Sequence, residues 1–73
     1  DGMCVDSKGY IFAAVRHSKR FGIAVFDPAS GREVGFVPTP ELPTNCCFGG
    51  RGASDWLYVT AGKGLYRVQL ATP

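Results

Sequence analysis

Short apolar runs of four to seven residues, each closed by a turn-forming cluster, succeed one another along this chain. Met3 to Asp6 is the first, ended by Ser7-Lys8-Gly9. Tyr10 to Val15 is rich in aromatic and branched residues and too short for a helix, which predicts a buried strand. Arg16 to Arg20 is expected to be a polar loop. Gly22 to Phe26 is the next strand, closed by the turn signal Asp27-Pro28-Ala29-Ser30-Gly31. Glu33 to Val37 alternates and predicts a half-exposed strand. Pro38, Pro40 and Pro43 then mark a connecting segment in which regular pairing is interrupted. Thr44 to Phe48 opens a second series, followed by a turn at Gly49-Gly50-Arg51-Gly52. Trp56 to Thr60 and Gly64 to Leu70 complete it, separated by Ala61-Gly62-Lys63. The pattern predicts four strands, then three, and no helix.

The two series repeat one another. Cys4-Val5-Asp6 aligns with Cys47-Phe48-Gly49 at an offset of 43, Ile11-Phe12 with Leu57-Tyr58 at 46, and Gly22-Ile23 with Gly64-Leu65 at 42. A drifting period in the forties with about four strands per unit is the signature of a β-propeller blade. The expected fold class is therefore all-β, built of antiparallel four-stranded blades. Residues 1–42 are expected to form one complete blade and residues 43–73 three strands of the next. Blade faces are buried by stacking on neighbours, and a ring needs at least about four blades. The chain is thus expected to be part of a larger propeller, with the missing blades supplied by a longer parent chain or by self-association.

Composition narrows the function classes. With 73 residues, 45% of them hydrophobic, the chain is too apolar for a disordered tail and too short for several domains. A net charge of +2 gives no reason to expect nucleic acid or a membrane surface as partner. No apolar run approaches the roughly 18–20 residues that span a bilayer. The three cysteines, Cys4, Cys46 and Cys47, are an odd number and include an adjacent pair, unlike the framework of a disulfide-rich domain. Nor do they make the paired spacing of a zinc site. They are expected to be small buried hydrophobes in a reduced, cytoplasmic protein.

Several segments taken in order carry a resemblance. Asp1-Gly2-Met3-Cys4-Val5-Asp6 comes first, then Gly9-Tyr10-Ile11-Phe12-Ala13-Ala14, then Val25-Phe26-Asp27-Pro28 with Gly31. Pro43-Thr44-Asn45-Cys46-Cys47-Phe48-Gly49-Gly50 and Leu57-Tyr58-Val59-Thr60 follow. Together they resemble the C-terminal part of the regucalcin (senescence marker protein), gluconolactonase and LRE-like family. The resemblance implies a six-bladed propeller whose closing blade takes a strand from the other end of the chain. It implies one divalent metal at the mouth of the central channel, commonly Ca²⁺ but also Zn²⁺, Mn²⁺ or Mg²⁺, and hydrolysis of a small sugar lactone. It makes Asp1 a metal ligand and the general base. A carboxylate suits this role as a hard oxygen ligand, and the metal can polarise a lactone carbonyl. Gly2 is expected to provide a tight turn that lets Asp1 face the channel. The glutamate and asparagine that the family adds as ligands have no counterpart in this chain. Thr44 and Asn45, at the equivalent place in the second series, are candidate substrate-pocket residues, Asn45 alternatively capping a turn.

Other candidates have simpler readings. Asp6 is expected to form a turn, and His17 with Ser18 a solvated loop rather than part of a nucleophilic triad. Arg16, Lys19 and Arg20 are expected at a hairpin tip, and Trp56, Tyr58 and Tyr66 in packing between blades. Two function classes stay open at this point: a calcium-dependent lactone hydrolase to which this chain contributes Asp1, and a non-catalytic propeller or assembly module.

Overall fold

The computed structural model describes residues 1–50, 52 and 55–70. Seven strands carry the described chain: β1 (Met3–Val5), β2 (Ile11–His17), β3 (Arg20–Phe26), β4 (Glu33–Pro38), β5 (Pro43–Phe48), β6 (Trp56–Ala61) and β7 (Gly64–Gln69). They form a four-stranded sheet in the order β1-β2-β3-β4 and a three-stranded sheet in the order β5-β6-β7. Every neighbouring pair is antiparallel. The chain is all-β, as its alternation predicts, and no described residue is helical.

Several strand boundaries differ from the sequence expectation, Ala61 for instance ending β6 and not opening the turn. Arg16 and His17 continue β2, pairing with Phe21 and Arg20, so the expected loop shrinks to Ser18 and Lys19. Their side chains are exposed, which hides strand character from a reading based on hydrophobicity. Pro38 ends β4 opposite Gly22. Pro43 opens β5 opposite Ala61, fully buried and beside a register shift that accommodates its missing N–H. Of the expected Gly49–Gly52 turn, Arg51 lies outside the described residues, as do Ala71 to Pro73 beyond β7.

The turns have identifiable chemistry. Asp6 Oδ1 accepts hydrogen bonds from the backbone N–H of Lys8 and of Tyr10, both at 2.9 Å. Asp27 repeats the device, accepting from Ala29 N–H at 3.0 Å, while the Gly31 N–H closes on the Asp27 carbonyl at 2.7 Å. Gly31 has φ 76°, a left-handed conformation that favours glycine.

The sheets meet face to face with one core between them. Phe12, Ala14 and Ile23 come from the first sheet; Cys46, Leu57, Val59 and Ala61 come from the second. Phe12 stands edge-on to Phe48, with ring centroids 5.0 Å apart and planes at 87°. Val25, Val37, Phe48 and Val68 pack around this core, and strand alternation sends intervening side chains to the two outer faces. There Arg20 lies over the Phe36 ring and pairs with Glu33, and Arg67 lies over Trp56.

The outer faces are built like inner ones. Phe12 and Ile23 face the second sheet, and Ile23 is 0% exposed. Their repeat equivalents, Tyr58 and Leu65, face away from the first sheet, where they help line a shallow recess of about 180 Å³. Leu65 is accordingly 72% exposed. On the opposite side of the molecule Met3 and Val5, at 62% and 57%, are also left open.

Candidate functional site

The three candidate site residues are gathered where β1 and β5 run side by side. The Asp1 terminal ammonium donates to the Ala14 carbonyl at 2.5 Å, and Ala14 N–H donates to the Gly2 carbonyl at 2.8 Å. This carries the Asp1-Gly2 backbone along β2. Gly2 N–H, by contrast, turns across to the second sheet and donates to the Thr44 carbonyl at 2.8 Å. Asp1 is thereby fixed one residue from the junction with Thr44 and Asn45, its side chain exposed.

The tight turn expected at Gly2 is not observed: Gly2 is absent from the glycines with positive φ. Its small size is required for another reason. A Cβ at this position would overlap the Asn45 side chain, including its Cβ at 3.0 Å. Gly2→Ala is expected to displace Asn45 and destabilise the chain by about 1–3 kcal/mol, the usual effect of overpacking. Asn45→Gly should recover most of that loss in the double variant. Denaturant unfolding of the two single variants and the double variant checks this, and additive losses would remove Asn45 as the cause.

Asn45 itself sits at the register shift of β5. Its Oδ1 accepts the Cys46 N–H at 2.9 Å, a local backbone cap within a strand. Thr44 donates to or accepts from the Thr60 hydroxyl at 2.8 Å and lies 3.2 Å from the Thr60 carbonyl. Asn45, Thr60 and Tyr58 then continue into the outer-face recess, with Cys47 and Leu65. These groups form a polar rim beside an apolar floor.

His17, expected in a solvated loop, instead ends β2. His17 accepts the Lys19 N–H on Nδ1 at 3.1 Å, closing its own hairpin. Tyr66 donates its hydroxyl to Glu41 at 3.3 Å, and burial together with the Glu41 charge pushes its pKa up. The expectation of three buried cysteines holds for Cys46 alone. Cys4 is half-buried, and Cys47 is exposed because alternation turns it to the opposite face of β5. Burial pushes the Cys46 thiol up to about 12 and raises that of Cys4.

A divalent metal needs more ligands than the described residues bring together. Among the described residues, no three His, Cys, Asp or Glu side chains are grouped as a metal site. Ca²⁺ takes six to eight oxygen ligands. The Asn45 carboxamide oxygen is engaged with Cys46 N–H and the Thr44 hydroxyl with Thr60. The described residues therefore do not make a complete metal site.

The family profile described as SMP-30/Gluconolactonase/LRE-like region matches residues 1–63, which include Asp1, Thr44 and Asn45. The chain belongs to this family. Regucalcin of Danio rerio is 40% identical over 84% of this chain, and regucalcin of Homo sapiens is 36% identical over 86%. Regucalcin of Gallus gallus is 33% identical over 97%. The chain spans about a fifth of the length of these curated relatives, 20% to 23%. No solved structure matches significantly. The SMP-30/gluconolactonase fold is a β-propeller, and the antiparallel sheets described above agree with that architecture.

Proposed function

We propose that this chain is the C-terminal portion of a divalent-metal-dependent sugar-lactone hydrolase, a complete blade followed by three strands of the closing blade. In this reading Asp1 is a metal ligand and the general base. The observation that carries the proposal is the junction of β1 and β5: the family-matched segment holds Asp1 rigidly by backbone hydrogen bonds and leaves its side chain exposed beside Thr44 and Asn45. A metal, with Ca²⁺ the first candidate, would polarise the lactone carbonyl once the rest of the ring completed its ligand set. Asp1 would accept the proton of the attacking water, while Thr44 and Asn45 would line the pocket that orients the sugar.

The division of labour is testable with a simple sugar lactone such as gluconolactone. The 73-residue chain alone is expected to show no turnover above background with Ca²⁺. A protein carrying this segment in a complete ring is expected to hydrolyse the lactone, to lose activity on chelation and to regain it when Ca²⁺ is restored. Activity indifferent to chelation would remove the metal from the reading. A complete ring that binds but does not turn over lactones would favour a binding module.

A further inference from the structure

The hydrogen-bonded junction continues one step along both strands into a pair of thiols. Gly2 bonds Thr44, and two residues further Cys4 Sγ lies 3.6 Å from Cys46 Sγ. The Cys46 sulfur in turn lies 3.5 Å from the Phe12 carbonyl and donates to it. Both cysteines stand on edge strands, β1 of the first sheet and β5 of the second, at the seam between the sheets.

We propose that Cys4 and Cys46 are an oxidation site, a thiol pair that closes into an inter-sheet disulfide when the chain meets a low-molecular-weight disulfide such as oxidised glutathione. Closure from the observed contact needs the sulfurs to approach by roughly 1.5 Å, to a bond of about 2.05 Å. β1 is suited to that movement, having three residues and a ladder on one side only. The competing pairings are blocked by geometry. Cys46 and Cys47 are adjacent in a strand and point to opposite faces, and Cys47 lies in the outer recess with Tyr58 and Leu65.

The reaction balances as two thiol–disulfide exchanges. Cys4, the more exposed of the pair, attacks one sulfur of oxidised glutathione as its thiolate. An S–S bond forms to one glutathione half, and the other leaves as a thiolate that takes up a proton. Cys46 then loses its proton to water and attacks the Cys4 sulfur, expelling the second glutathione. Two protein thiols are oxidised and one glutathione disulfide is reduced to two thiols. Burial keeps both cysteines protonated, so closure at neutral pH is expected to be slow.

The test uses the 73-residue chain, incubated with oxidised glutathione in buffer and, as a control, in denaturant. Remaining thiols are alkylated and the peptides are mapped by mass spectrometry. The native sample is expected to yield a Cys4–Cys46 cross-linked peptide two hydrogens lighter than the reduced pair, with the exposed Cys47 recovered outside the bridge, either alkylated or as its mixed disulfide with glutathione. Its Tm should rise by roughly 10 °C, because the bridge constrains a long loop in the unfolded chain. Cys47→Ser should form the same bridge, and Cys4→Ser should form none within the chain. A native sample with three alkylatable thiols, or with the same mixture of pairings as the denatured control, would overturn the proposal.

Discussion

Asp1→Asn, introduced into a protein that carries this segment within a complete ring, is expected to lower lactone hydrolysis by roughly two to four orders of magnitude. The substitution keeps the shape of the side chain and removes its charge and basicity. It leaves the local structure alone, since Asp1 is placed by its main-chain nitrogen on the Ala14 carbonyl and by the neighbouring Gly2 bonds, not by its carboxylate. Stability should therefore be unchanged while kcat falls. If Asp1 also ligates the metal, the Ca²⁺ concentration needed for residual activity should rise in the same variant. Retention of full kcat at unaltered Ca²⁺ dependence would show that Asp1 performs neither task. Thr44→Ala should behave differently, raising KM more than it lowers kcat, because a pocket residue contributes to binding substrate and transition state alike.

The second large effect concerns the core. Leu57 is fully buried between the sheets, so Leu57→Ala is expected to cost about 2–5 kcal/mol. A core this small supplies on the order of 3–5 kcal/mol in total, so the variant chain should be largely unfolded. Leu65→Ala provides the contrast. At 72% exposure in this chain its loss should be within about 0.5 kcal/mol of neutral. Inside a ring, where a further sheet covers that face, the same substitution should become as costly as Ile23→Ala, its repeat equivalent. Circular dichroism melts of the chain and of a complete ring, each with the Leu65→Ala change, measure the difference. An equal, small effect in both contexts would mean that no sheet covers Leu65 in the ring.

Much of this fold is legible in the alternation of apolar and polar residues, because strand alternation and the polar turns between strands are local. The seven strands fall where the runs fall, and Asp6 and Asp27 make the turns their positions suggest. Even the repeat alignment of Cys4 with Cys47 is meaningful, since Cys4 pairs with Phe12 just as Cys47 pairs with Tyr58. What the pattern misses are relations between sheets. Gly2 looks like a turn glycine until Asn45 is seen against it. Cys4 meets Cys46, not its repeat equivalent, because stacked sheets touch through opposite faces. Asp1 could be singled out only by family resemblance, for nothing in its spacing distinguishes it from an ordinary turn residue.

The single backbone bond from Gly2 to Thr44 has a further consequence for how the molecule comes apart. All other described backbone pairing lies within one sheet or within its own turns. Parting the sheets breaks no ladder bond, only this bond, the packing of the shared core and the Arg16 guanidinium's donation to the Pro43 carbonyl at 3.2 Å. The Gly2 amide becomes a local gauge of that separation. Its hydrogen exchanges with solvent whenever the seam opens, at the free energy of parting the sheets, whereas amides in the middle of β2 or β6 wait for their own ladder to break.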